Sequence, residues 1–347
     1  MLRVNGAFNM HEEFVIRPAR ETDLPAILDL AKTANPGLTN LLPDEKLLDE
    51  KIQWSLKSFS QNVQAPVHEL YFFVLEEVKA QKIIGSCGIF SQVGEEFYSF
   101  KVNREFVSSE LLHIRRENLY LQLVNDYKNV SELGLLLIHK KFRKQGLGKF
   151  LSRSRYLFLA DNLEKFNSHL IAEMRGKIDL WGRSVFWDAV GSRFIDIQFT
   201  EADYLSACNQ KHFIAELLPH TPIPVSLLPE SAQRVIGVAH PDTAAAVAVL
   251  QSEGFEYSHY VDIFDGGPTL EAVLKQVKTV AQSQRGQILS VNDTAPGLPC
   301  MMSFQGVEYR VCLGEVRCLA DGSVEISSAL AASLHCSAGD TVRYMLL

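Results

Sequence analysis

Along this chain the spacing of apolar and polar positions predicts a definite order of elements. Phe14-Val15-Ile16-Arg17-Pro18 predicts a short strand, and Thr22-Asp23 offers cap chemistry for a helix with Leu24, Ile27, Leu28 and Ala31 at helical spacing. A second helical pattern covers about residues 45–58, and residues 71–75 and 82–90 predict two paired strands with their turn over 76–81. From 95 to 129 aromatic and charged residues mix without a sustained period, and no element is predicted there. Residues 133–138 form a continuous apolar run, the pattern of a strand covered on both faces. After a polar link over 139–145, Leu147, Phe150, Leu151, Leu157 and Phe158 recur as one face of a long helix. Residues 170–174 predict the next strand, 185–190 a helix and 194–197 a closing strand.

A partial echo follows: residues 212–217, a helix over 241–253 and a strand over 257–264 suggest a second, incomplete copy of the same unit. Beyond Arg285 short strand-like runs lie between glycines, the pattern of a small β module. The division expected is an extension over 1–13, read as flexible, a first unit over 14–200, an incomplete second unit over 201–285 and a β-rich module over 286–347. The class is α+β, or mixed α/β, with an open mixed sheet flanked by helices.

Composition narrows the partners. The chain has 347 residues, too many for one small domain, and its 47% hydrophobic and 22% charged residues are those of an ordinary globular protein. A net charge of -7 disfavours nucleic acid and anionic membrane, which call for a concentrated positive field. Six cysteines occur without a C-x-x-C pair, so neither a zinc knuckle nor a disulfide framework is predicted, and no metal site is expected. No apolar run approaches the ~20 residues of a membrane span, and the start lacks a signal-peptide core. A cytoplasmic location, a small-molecule partner and no permanently bound cofactor are expected. Apolar stretches in the C-terminal half leave room for a homo-oligomer.

The chemistry concentrates at Arg143-Lys144-Gln145-Gly146-Leu147-Gly148, which fits R-x-x-G-x-G between a buried strand and a long helix. Glycines let backbone approach a ligand, and the unpaired N–H groups and dipole of a helix N-terminus favour a diphosphate. Arg143 and Lys144 add positive charge. The dinucleotide fingerprint G-x-G-x-x-G and the P-loop are both absent, which favours coenzyme A. An ordinary loop opening a helix is the alternative for two glycines taken alone.

Strand, loop and long helix together resemble the acyl-CoA site of the GNAT acyltransferase superfamily. Longer segments resemble the arginine N-succinyltransferase family: Arg17-Pro18, Ser131-Glu132-Leu133, Ile171-Ala172-Glu173-Met174-Arg175-Gly176, Ala202-Asp203-Tyr204-Leu205, Phe213-Ile214-Ala215-Glu216-Leu217, Val235-Ile236-Gly237 with His240-Pro241, and Asp262-Ile263-Phe264-Asp265-Gly266-Gly267-Pro268. The family usually shows Gly-Asn-Gly at the loop, a cysteine after Glu-Leu and Ser-Pro-Phe-Trp. Here Gly146-Leu147-Gly148, Gly134 and Ser184-Val185-Phe186-Trp187 stand instead.

The resemblance implies a GNAT-like sheet with a second, partial GNAT-like unit, and a strand that splays from its neighbour so that Leu135, Leu136 and Leu137 pair with pantetheine. It implies transfer of succinyl from succinyl-CoA, as acyl-donor co-substrate, to the α-amino group of L-arginine. His240 matches the family's proton donor or acceptor, although preceding Pro241 it can equally cap a helix. The Leu136 N–H is the expected donor to the tetrahedral intermediate. No cysteine or serine sits in a nucleophile motif, so direct transfer is expected. Asp126, Glu132, Glu173 and Arg175 are candidate substrate contacts, each open to a structural reading. The alternatives are another acyl donor, another amine such as ornithine, or an acyl-CoA-binding protein without turnover.

Overall fold

The structure, a computed structural model, describes residues 13–34, 41–208, 210–294 and 296–347, so the N-terminal extension lies outside it up to residue 12. The strands in chain order are β1 Phe14–Pro18, β2 Leu70–Glu77, β3 Lys82–Phe90, β4 Ser99–Ser109, β5 Ile114–Val124, β6 Ser131–Ile138, β7 His169–Glu173, β8 Ile223–Pro224, β9 Glu256–Val261, β10 Pro268–Val273, β11 Gln284–Val291, β12 Leu298–Gln305, β13 Tyr309–Cys318, β14 Val324–Ile326 and β15 Thr341–Leu346. They form one mixed sheet in the order β12-β15-β11-β14-β13-β1-β2-β3-β6-β7-β10-β9-β4-β5-β8. A further pairing of β12 with β13 closes the five C-terminal strands on themselves around Ile288, Met302, Val316 and Leu330. Among the described residues no helix is long and apolar enough to cross a membrane.

Strand periodicity explains why the centre reads as a continuous apolar run. On β2, Tyr71, Phe73 and Leu75 pack with Leu151, Leu157 and Phe158 of the helix Leu147–Asp161. The alternate residues Leu70, Phe72 and Val74 pack with Ile27 and Leu30 of the helix Leu24–Lys32 and with Leu48 and Ile52 of the helix Glu45–Ser60. Both faces are covered, and a side-chain period of two then requires apolar residues at every position.

β6 departs from that period. Leu133 packs on the face of the long helix, whereas Leu135, two residues on, packs on the opposite face with Ile27 and Leu48. The reason is a bulge: Ser86 stands opposite Leu137 and Gly88 opposite Gly134, and Leu135 has φ 57. A bulky residue in the left-handed region is strained and needs support. The Ser86 hydroxyl donates to Leu135 O over 2.9 Å, and a Cβ on Gly88 would lie 2.6 Å from Leu135 Cδ1. Glycine at 88 makes the room that the bulge needs.

Two segments differ from the sequence expectation, and a third, given no element there, takes a definite one. Residues 95–129, where no element was predicted, hold the hairpin β4–β5, paired from Ser99 opposite Val124 to Ser109 opposite Ile114. Its outer half, with Phe106, Leu111 and Leu112 exposed, is open to solvent and therefore lacks the alternation of a half-buried strand. Residues 194–197 are not a strand but the irregular exit of a short helical turn, Gly191–Arg193, anchored by buried Ile195. His212–Leu217 is a helix.

Buried Arg17 ties β1 to the first helix and to β2. It makes a two-pronged pair with Asp23 (2.7 and 3.0 Å) and bonds Glu76 at 2.6 Å. Removing one partner of a buried pair strands the other charges. Arg17→Met is therefore expected to lower stability by about 3–5 kcal/mol in urea unfolding; a loss below ~1 kcal/mol would contradict this role.

Candidate active site

The site begins where two strands part. β6 and β7 run parallel but pair only at Ser131 with Leu170 and Glu132 with Ile171. From Leu133 onward β6 keeps β3 on one side and, among the described residues, has no strand partner on the other. The bulge lies within this unpaired stretch, with Leu136 half-buried between buried Leu135 and Leu137.

β6 leads through the turn Lys140–Phe142 into Arg143-Lys144-Gln145-Gly146, and the helix starts at Leu147. Gly146 caps it at φ 80, and a Cβ there would meet nothing within 4 Å. Backbone bonds into the helix begin at Lys149 and Phe150, both to Gly146 O, which leaves the N–H groups ahead of them facing outward. Arg143, Lys144, Gln145, Gly146 and Gly148 are exposed and only Leu147 is buried. The Arg143 Nε donates to Ile138 O at 3.2 Å, holding the loop against the end of β6. The loop is thus open to an anion.

Three segments from distant parts of the sequence converge beside the end of β7. The Met174 N–H donates to Pro268 O (3.0 Å), the His240 N–H to Arg175 O (2.8 Å) and the Gly237 N–H to Gly266 O (2.8 Å). The approach is close enough that a Cβ on Gly176 would lie 2.4 Å from Asp265 O. Asp265 clamps the junction, accepting from the Gly176 N–H at 2.6 Å and from the Gly267 N–H at 2.8 Å.

His240 sits in this junction with its ring largely buried. Its Nδ1 accepts from the Asp242 N–H at 3.1 Å and faces a guanidinium nitrogen of Arg175. Guanidinium only donates, so Nδ1 carries the lone pair and the proton of the neutral ring lies on Nε2. Burial and the Arg175 charge pull the His240 pKa below the ordinary histidine value, with Asp242 opposing. Both effects favour the neutral ring, which presents an N–H at Nε2.

A cavity of about 430 Å³ adjoins the end of the β6–β7 pairing. Glu132, Glu173, Arg175, Asp262 and Asp265 line it, with Lys51, Trp54, Asp203 and Lys211 among the residues around them. Burial pushes the Glu173 carboxyl well up, with Asp262 and Glu132 adding repulsion. Asp265 is also held well up by burial and by Asp262, against its two backbone donors. Among the described residues no three His, Cys, Asp or Glu side chains are grouped so as to hold a metal ion. Crowded acids of this kind attract an organic cation or a proton.

Glu132, Glu173 and Arg175 thus come together in one cavity, and His240 joins them through Arg175 rather than by lining it. Asp126 does not line it: Tyr260 donates to its carboxylate at 2.7 Å and Lys101 pairs with it at 3.4 Å. Sequence reasoning missed Asp262 and Asp265 as site groups, although both stood in a quoted segment whose glycines signal close approach. Lys51 and Lys211 gave no signal, since a lysine in a helical pattern reads as solvated face.

Comparison with known proteins agrees with this geometry. A family model described as "Arginine N-succinyltransferase beta subunit" matches residues 14–279. Arginine N-succinyltransferase of Enterobacter sp. (strain 638) is 39% identical over 338 residues, 96% of this chain and 97% of that one. Arginine N-succinyltransferase subunit beta of Pseudomonas aeruginosa is 38% identical over 335 residues, 95% and 97% of the two chains. The solved structure of arginine/ornithine succinyltransferase subunit AI from Pseudomonas aeruginosa superposes with a TM-score of 0.86 at 32% identity, covering 97% of this chain and 99% of that one. Two parallel strands that part, a glycine loop at a helix N-terminus and matches of this length have one conclusion: the chain is an acyltransferase and belongs to the arginine N-succinyltransferase family.

Proposed function

We propose that this chain transfers succinyl from succinyl-CoA to the α-amino group of L-arginine, giving N2-succinylarginine and coenzyme A. The observation that carries the reading is the continuity of three features: the open glycine loop, the unpaired edge of β6 and the acidic cavity at its end. Each suits one part of the reactants.

The outward N–H groups at Gly146, Leu147 and Gly148, with Arg143 and Lys144, suit the diphosphate. Pantetheine runs along the free edge of Leu135–Leu137, which brings the thioester carbonyl to the Leu136 N–H. The acidic wall of Glu132, Glu173, Asp262 and Asp265 suits the guanidinium of the acceptor. A second reading, ornithine as acceptor, has the support of the solved relative's name, arginine/ornithine succinyltransferase, and of the same acidic residues, which suit an ammonium as well.

The reaction balances simply. The neutral amine attacks the thioester carbon, the C–N bond forms and the C–S bond breaks, and the amine proton ends on the departing thiolate. An acceptor arriving as ammonium first gives one proton to solvent, at about 1.4 kcal/mol for a group of pKa ~8 at pH 7. His240 is the catalytic residue of this reading. Since its Nδ1 is occupied by two donors, it serves as a neutral N–H donor from Nε2 to developing negative charge rather than as a base.

Thiol release from succinyl-CoA is expected with L-arginine, and L-ornithine in the same assay separates the two acceptors; release with neither amine contradicts the reading. His240→Ala is expected to lower kcat roughly 10²- to 10³-fold, and His240→Gln, which keeps an N–H near Nε2, to retain at least about ten times the activity of the alanine variant. Equal loss in both variants would assign a base instead.

The pH dependence has a definite sign. His240 binds its proton more weakly than an ordinary histidine, so the neutral ring and the activity that needs it persist below about pH 6.5 and are lost only on further acidification. Arg175→Met removes the charge that disfavours protonation. The His240 ring titration, followed by NMR, is expected to move to higher pH in that variant; no movement would contradict the coupling.

A further inference from the structure

The cavity is acidic on one wall but not throughout. Lys51 and Lys211 line it as well, from elements far apart in sequence: Lys51 on the helix Glu45–Ser60, one turn before Trp54, and Lys211 just ahead of the helix His212–Leu217. Both ammonium groups are half-buried. Among the described residues neither has a carboxylate within ion-pair distance. Lys51's neighbour Glu50 pairs with Lys46 instead, and Lys211 lies over the Phe97 ring at 5.7 Å.

Two part-buried lysines that face one cavity, with carboxylates near but none in direct contact among the described residues, are incompletely compensated in the free protein. Burial lowers the Lys51 pKa and the Lys211 charge adds to this, with Glu50 and Glu132 opposing. Asp262 and Asp265 are held by backbone N–H groups, and the Lys211 charge reaches Glu173 and Asp262 without a contact at ion-pair distance. The cavity therefore carries charges of both signs. Its carboxyls suit a cation, and its two lysines, which act on one another electrostatically, suit an anion.

We propose that Lys51 and Lys211 form a carboxylate-binding subsite, a specificity element of the transfer reaction. The inference rests on the reading of the cavity as the place where acyl donor and amino-acid acceptor meet. That reaction brings two free carboxylates to the cavity: the terminal one of the succinyl group and the α-carboxylate of the acceptor. A lysine pair recognises either by the same charge-assisted hydrogen bonds, and the sources are separable.

The test measures binding by calorimetry for wild type, Lys51→Met and Lys211→Met, in two matched pairs of ligands. Succinyl-CoA against butyryl-CoA differs by the donor carboxylate, and L-arginine against agmatine, in the presence of coenzyme A, differs by the acceptor carboxylate. In both variants one of the two affinity ratios is expected to fall about 10- to 100-fold, the size of a lost charge-assisted contact. A fall in the first ratio assigns the subsite to the succinyl group, and a fall in the second assigns it to the amino acid. If neither ratio changes in either variant, the subsite is overturned. Should Lys51→Met fail to fold, Lys211→Met carries the same decision. Absence of thiol release in the wild type would remove the proposed activity, a result that these affinity ratios report separately.

Discussion

The site depends on one backbone constraint, the bulge at Leu135. A left-handed conformation at a bulky residue costs roughly 1–2 kcal/mol. The surroundings hold it in place: the Ser86 hydroxyl takes Leu135 O, glycine at 88 clears space for the side chain, and Ile27 and Leu48 receive it on the far face. The bulge changes which face each later residue of β6 presents. Together with the early end of β6–β7 pairing at Glu132, it leaves a strand edge unpaired beside the glycine loop. Backbone N–H and C=O groups at an unpaired edge need partners, and in the proposed reading an amide-bearing arm such as pantetheine would supply them.

What lies beyond that edge is set by a second constraint, the convergence of three chain segments at the end of β7. Glycine at 176 lets Asp265 approach, and Asp265 in turn holds both Gly176 and Gly267 by their N–H groups. The same junction fixes Arg175 between the cavity and His240. One guanidinium thereby links the cavity to the imidazole, directs its tautomer and adds to the effect of burial in lowering its proton affinity. Acids and lysines line the same cavity, charges of both signs that would suit a zwitterionic acceptor or a carboxylate-bearing acyl group in the proposed reading.

Much of this was legible in the sequence, for identifiable reasons. A strand covered on both faces must be apolar throughout, so residues 133–138 stood out, and paired glycines at a helix start marked the loop. The bulge was not legible, because nothing in Leu135-Leu136-Leu137 distinguishes a left-handed residue from its neighbours. The hairpin β4–β5 escaped because its outer half is open to solvent and carries no burial pattern. Of the candidate substrate contacts, Glu132, Glu173 and Arg175 line one cavity, whereas Asp126 is held by Tyr260 and Lys101 outside it. Lys51 and Lys211 acquire meaning only when two distant elements bring them to one cavity.

Amide hydrogen exchange with and without coenzyme A tests the central claim most directly. Binding is expected to slow exchange at Leu136 and Leu137 and at Gly146 to Gly148 together, since one ligand occupies the freed strand edge and the helix mouth at once. Bound coenzyme A with those amides unprotected, or with protection confined to other parts of the sheet, would contradict the account.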